Sequence, residues 1–140
     1  MVALSITAAQ VVADEAGAIQ YDDANEAITP GQAIYYDATL RKWRLADADA
    51  VATVPANRVG IAISQAAAAG QGVGGQKTGS VTLGAGAAPV VGTAYYVGPT
   101  AGSIVPEADV LSGDFPCLLG FGSASNKLKM HVFSTEEAKA

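Results

Sequence analysis

The side chains able to act as nucleophile or base are few. The chain holds one cysteine and one histidine. His131 stands between Met130 and Val132 in an alternating run, where a strand turns it to solvent. Cys117 lies in the apolar run Pro116-Cys117-Leu118 and reads as a small buried hydrophobe, not a reactive thiolate. Covalent catalysis needs a nucleophile, a base and a group that orients the base. The sequence brings no such set together and reads as a non-enzyme.

Gly70-Gln71-Gly72-Val73-Gly74-Gly75 has the spacing of a dinucleotide-binding loop. That chemistry requires a strand before the loop and a helix opening after it, with an acid about twenty residues on. Here Gln76-Lys77-Thr78-Gly79-Ser80 leads into a strand pattern, and the next acid is Glu107. Asp22-Asp23-Ala24-Asn25-Glu26 is the densest carboxylate cluster, and Asp47-Ala48-Asp49 is a shorter one. Neither has the alternating ligands and central glycine of a calcium loop, so both read as solvated loops. No metal or cofactor is expected.

Tyr35, Tyr36, Trp43, Tyr95 and Tyr96 remain. Side chains alternate along a strand, so one tyrosine of each adjacent pair faces away from the core. Tyrosine and tryptophan are enriched at interfaces, which makes Tyr36, Trp43 and Tyr96 candidate contact residues.

Short strands must position these side chains. The runs 33–36, 42–45, 58–64, 80–83, 94–97, 103–105, 117–121 and 128–133 are apolar or alternating, and Gly, Pro, Asp and Ser separate them. Many short strands with turns between them predict an all-β fold, a small β-barrel or β-sandwich. The spans 48–54 and 107–111 allow a turn or two of helix. Residues 65–76 read as a flexible loop, because its alanines run straight into Gly70, Gly72, Gly74 and Gly75. Residues 1–27 read as an extended N-terminal arm ordered by a partner, or as an ordinary first strand followed by a loop. The alternating Val2, Leu4 and Ile6 open it, and an acidic, aperiodic stretch follows. The body is then 28–140, opened by the turn Thr29-Pro30-Gly31. An internal echo runs through that body. Gly31-Gln-Ala-Ile-Tyr-Tyr resembles Gly92-Thr-Ala-Tyr-Tyr-Val, and Val59-Gly60-Ile61-Ala62 resembles Leu119-Gly120-Phe121-Gly122. The offsets are 61 and 60 residues, which fits either a duplicated unit or two similar hairpins.

Composition narrows the class. The chain has 140 residues, enough for one domain with its own core. Half the residues are hydrophobic and only 15% are charged; alanine alone makes up about a fifth. A disordered chain would show the reverse balance. No apolar run reaches the length of a membrane span. The opening residues have no basic start and meet Asp14 and Glu15, unlike a signal peptide. The net charge is −5, and the only basic groupings are Arg41, Lys42 and Arg44, then Lys127 and Lys129. Both read as wet strand faces, so no nucleic-acid or membrane partner is expected.

The strings Ile28-Thr29-Pro30-Gly31-Gln32-Ala33-Ile34-Tyr35-Tyr36-Asp37-Ala38-Thr39 and Lys42-Trp43-Arg44-Leu45-Ala46-Asp47-Ala48-Asp49 carry a family resemblance. So do Val59-Gly60-Ile61-Ala62, the run 79–86, the run 91–97 and Leu119-Gly120-Phe121-Gly122. Together they resemble the capsid decoration (cement) proteins of tailed bacteriophages, over 28–133. The resemblance implies a small β-body assembled as a homotrimer on the outer capsid surface of the virion, near local three-fold axes. Its partner there is the major capsid protein, and its role is to clamp adjacent subunits. On that reading Val2, Leu4 and Ile6 would add as a strand to a capsid sheet. Tyr36, Trp43 and Tyr96 would lie at the trimer or capsid interface. The alternative is a β-rich head-fibre or tail adhesin domain that binds a cell-surface receptor through loops such as 65–78.

Overall fold

A computed structural model describes residues 3–13, 18–49, 58–84, 86–124, 126–134, 137 and 139. The chain is all-β, built from two antiparallel sheets. The strands are β1 (Val12–Ala13), β2 (Ile19–Asp23), β3 (Ala33–Asp37), β4 (Lys42–Leu45), β5 (Val59–Ala62), β6 (Gly72–Gln76), β7 (Ser80–Thr82), β8 (Ala94–Val97), β9 (Ile104–Pro106), β10 (Cys117–Ala124) and β11 (Lys127–Ser134). One sheet has the order β2-β6-β5-β3-β4, the other β1-β7-β11-β10-β8-β9.

Without the short β1, the two orders are the same permutation of five consecutive strands. The registers agree as well. Ile34 pairs with Leu45 as Tyr95 pairs with Pro106, and Tyr36 with Trp43 as Val97 with Ile104, a constant offset of 61 residues. Ile34 faces Gly60 as Tyr95 faces Gly120. Ile19 faces Gln76 as Ser80 faces Lys129. Turn conformations repeat too. Gly31 and Gly92 both have positive φ (93° and 83°), and so do Arg41 and Gly102 (57° and 81°). Left-handed backbone is favourable for glycine and costly for arginine. Its recurrence at Arg41 shows that the hairpin geometry is held in common. The echo in the sequence is therefore a duplicated five-strand unit: β2–β6, then β7–β11.

The two units stack in one sense. Ala33, Tyr35, Val59 and Ile61 of the first join Tyr95, Val97, Ile104, Leu119 and Leu128 of the second in a shared core between the sheets. Ile34 and Trp43 point the other way, into a second core with Ala24, Ile28, Ala62, Ala66 and Val73. Their equivalents in the second unit, Tyr95 and Ile104, point into the shared core. The face that the first unit turns outward is thus the face that the second turns inward. Backbone bonds knit the units together. The Ala33 N–H donates to the Gly102 carbonyl (2.9 Å), the Gly102 N–H to Ala46 (2.8 Å), and the Phe115 N–H to Ala48 (2.8 Å).

The expected loop at 65–76 is a correction. Gly72–Gln76 forms β6, between β2 and β5. Glycine is depleted in strands because it packs nothing. Here the missing side chains make room for aromatic rings. A Cβ on Gly75 would lie 2.6 Å from Cζ2 of Trp43, and one on Gly74 would lie 2.7 Å from Cε1 of Tyr21.

The expected separate arm over 1–27 is a second correction. β1 pairs with β7 and β2 with β6, so both sheets take an edge strand from this segment. Val11, Ala24 and Ile28 are buried. Burying these apolar side chains in the body outweighs leaving the segment extended. Residues 14–17 of that segment, and 50–54 of the expected turn at 48–54, lie outside the described residues. Glu107–Asp109 is a single 3-10 turn.

Candidate interaction surfaces

No constellation for side-chain chemistry forms among the described residues. Cys117 is fully buried, and burial pushes its thiol up to about 12. His131 is exposed. The carboxylates of the acidic cluster serve the local structure. Asp22 Oδ2 accepts from the Tyr36 hydroxyl (2.9 Å), and Glu26 Oε2 accepts from the Leu45 N–H (3.1 Å). Asp47 Oδ1 accepts from the Asp49 N–H (2.9 Å). Among the described residues no group of three or more His, Cys, Asp or Glu is placed to hold a metal, and no helix is long and apolar enough to cross a membrane.

The candidate contact residues separate when placed on the fold. Val2 lies outside the described residues. Leu4 and Ile6 form no strand. They are half-buried against the shared core, and the Leu4 N–H donates to the Ile104 carbonyl (2.8 Å). Part of the apolar surface expected to meet another sheet is therefore used within the chain. Trp43 is corrected too. It has no exposed surface, its Nε1 donates to the Gln20 carbonyl (3.2 Å), and it meets Tyr36 edge-on at 5.5 Å between ring centroids. It is a core residue and touches nothing outside the chain. Tyr36 is half-buried beside it, and its hydroxyl is held up in pKa by burial and then by its bond to Asp22. Tyr96 is half-buried on the outer side of the six-stranded sheet, in a groove with Glu107, Val110, Pro116 and Lys139. Burial, and then the Glu107 charge, raise its pKa. The inward tyrosines are Tyr35 and Tyr95, as strand alternation requires.

Two exposed apolar surfaces stand out instead. The first is the outer face of the six-stranded sheet. Register places Phe121 opposite Lys129, Phe133 opposite Leu118, and Val12 opposite Thr82. Phe133 is 60% exposed, Val12 56% and Phe121 41%. Lys127, Lys129 and His131 alternate with inward residues on β11 and share this face. The second surface lies on the β7–β8 connection. Val90 and Val91 are exposed there, at the rim of a shallow groove of about 370 Å3 lined by Ala3, Leu4, Ala87, Ala88 and Tyr95. The Tyr95 hydroxyl accepts from the Val90 N–H (2.8 Å) and fixes that connection. Sequence reasoning missed Phe121 and Phe133. The available signal was an aromatic residue on the polar side of an alternating strand, with Phe133 in phase with Lys129 and His131. The adhesin loop at 65–78 shortens, since only 67–72 at its tip is exposed as a run.

Comparison of the chain with protein-family models, with curated proteins and with solved structures finds no match.

Proposed function

We propose that this chain is a structural virion protein, a β-sandwich that decorates the outer surface of a phage capsid as homotrimers at local three-fold sites. Each trimer clamps adjacent subunits of the major capsid protein. The observation that carries this reading is the exposed apolar surface on so small a body: Val12, Phe121 and Phe133 on the outer face of the six-stranded sheet, and Val90 and Val91 on the β7–β8 connection that meets β10 at Gly122. Exposed apolar patches of this kind mark contact sites. A clamp needs contact surface both for its own copies and for the shell. The resemblance of 28–133 to cement proteins points the same way. In this reading Leu4 and Ile6 brace the decorating body, and the shell is met through folded surfaces.

Modest contacts suffice for a clamp of this type, because the second and third arms of a trimer bind intramolecularly once the first is seated. The test is the copy number of this chain in purified particles, measured by quantitative mass spectrometry against the major capsid protein. About one copy per capsid subunit supports the reading. A few copies per particle would assign the chain to a fibre or adhesin. Absence from the particle would end the proposal.

A further inference from the structure

The β3–β4 hairpin carries a polar groove. Its volume is about 320 Å3, and Tyr35, Asp37, Thr39, Arg44 and Arg58 are on its walls. Register sets Arg44 across from Tyr35 and Lys42 across from Asp37. The guanidinium carbon of Arg44 stands 5.9 Å from the centre of the buried Tyr35 ring. The face of that ring attracts a cation and holds the guanidinium in place before any ligand arrives. Arg58 enters from the residue before β5, where its carbonyl accepts from the Tyr36 N–H (2.7 Å). Its side chain is exposed and has no hydrogen bond or ion pair with the described residues.

Arg44 is only lightly committed. Its Nη1 lies 3.4 Å from Asp37 Oδ2, beyond the ~2.7–2.9 Å of a tight charge-assisted bond. Asp37 spends Oδ1 on its own turn, accepting from the Thr39 N–H (3.0 Å) and the Leu40 N–H (3.1 Å). The Leu40 amide first, then Thr39 and Arg44, hold its carboxyl below the usual range, so it is ionised at neutral pH. Arg44 Nε is sealed without a partner among the described residues, which leaves the Nη groups as the donors the groove can use. Glu26 stands within electrostatic reach of Tyr35, and Asp22 and Arg41 of Tyr36. Arg41, Lys42, Arg44 and Arg58 set against Asp22, Glu26 and Asp37 leave one positive charge. One ionised carboxylate balances it, and a phosphate dianion exceeds it.

We infer that this groove binds a carboxylate, held between the guanidinium groups of Arg44 and Arg58 beside the Tyr35 ring. The planar donors of a guanidinium match the two oxygens of a carboxylate. Two sources present that chemistry: a free organic acid, and an acidic side chain of a partner protein. The groove is open to water, so the expected affinity is weak, with Kd in the millimolar range. The inference goes beyond the decorating role and does not depend on it, since it holds or fails on the isolated chain.

The experiment is an NMR titration of the full isotope-labelled chain, read at the backbone amides and the arginine Nε–H signals. Sodium acetate and a capped Gly-Glu-Gly peptide are the carboxylate probes. Sodium chloride at matched ionic strength is the control for screening. Saturable shifts at Arg44, Arg58 and the amides of Ala38 and Thr39 are expected with acetate, with the peptide or with both, and none with chloride. A peptide that binds more tightly than acetate assigns the groove to a protein side chain. Acetate binding without peptide binding assigns it to a free acid. Arg58→Gln, on an exposed side chain, is expected to weaken binding about tenfold or more. Arg44→Lys keeps the charge but loses the planar fork, and is expected to weaken it several-fold. The amide spectrum of each variant confirms that it is folded. Shifts that follow ionic strength without saturating overturn the inference. So does acetate binding unchanged by Arg58→Gln, or phosphate dianion that binds more tightly than acetate at matched ionic strength.

Discussion

Replacing Gly75 by alanine tests the claim that β6 is a strand because aromatic rings cover its glycines. The added methyl would sit 2.6 Å from Cζ2 and 2.7 Å from Cη2 of Trp43, a ring with no exposed surface into which to retreat. Overpacking of this kind costs about 1–3 kcal/mol. Shifting the indole also strains its Nε1 bond to the Gln20 carbonyl, worth about 1 kcal/mol. Lower chain entropy in the unfolded state returns about 0.4–1 kcal/mol. The net expectation is a loss of about 1–3 kcal/mol, or about 3–10 °C in Tm for a chain of this length. Gly72 lies in the same strand, and a Cβ there meets nothing within 4 Å. Gly72→Ala is therefore expected to be neutral or to stabilise by up to about 0.5 kcal/mol. Trp43→Phe gives the third corner, because a smaller ring leaves space for the methyl. Gly75→Ala should then cost less in the Trp43→Phe background, with a coupling of about 1 kcal/mol or more. Urea unfolding followed by circular dichroism reads all five proteins, since the fluorescence of Trp43 disappears in two of them. Equal effects at Gly72 and Gly75, or a Gly75→Ala cost undiminished by Trp43→Phe, would refute the packing argument.

Cys117 should resist thiol reagents at pH 8 in the native protein and react fully in urea, as a thiol titration will show. Its folded value of about 12 lies above the ordinary 9.0, so its contribution to stability is whole below pH 9 and lost as pH rises toward 12. The Asp49 carboxyl is held above its ordinary 3.8 chiefly by a hydrogen bond with Asp114. Stability from this group is complete below pH 3.8 and declines as pH rises through the raised value; Asp49→Asn should flatten that part of a Tm-versus-pH curve. Ile6→Ser should destabilise the isolated chain by about 1–2 kcal/mol in thermal unfolding, because the side chain is partly buried against the core.

Side-chain alternation made much of this fold readable. The strands at 42–45 and 94–97 match the structure residue for residue, and those near 33, 59, 80, 104, 117 and 128 shift at their ends. The motif Gly-x-Ala-x-Tyr-Tyr and its partner carried the duplication, because a shared register leaves the same residue types at the same turns. β2 and β6 were not readable. Gly72, Gly74 and Gly75 have no strand preference of their own, and Trp43 and Tyr21, which cover two of them, are distant in sequence. The pairing of β2 with β6 joins residues as far apart as Ile19 and Gln76, so no local pattern records it. Trp43 misled for a related reason: an aromatic side chain suits an interface and a core equally, and only the three-dimensional position of Gly75 decides between them.

The stacking of one unit on the other leaves the five-stranded sheet as a middle layer, with the shared core on one side and the second core on the other. Among the described residues, the six-stranded sheet has a buried core on one side only. Opening the protein locally therefore costs different amounts in the two halves, even though they share one topology. Native-state hydrogen exchange should be slowest at the amides of β3 and β5. It should be faster on β11 and β1, so that two strands equivalent in the repeat, β6 and β11, exchange at separate rates. Unfolding of the chain would begin at the open side of the six-stranded sheet and reach the middle layer last.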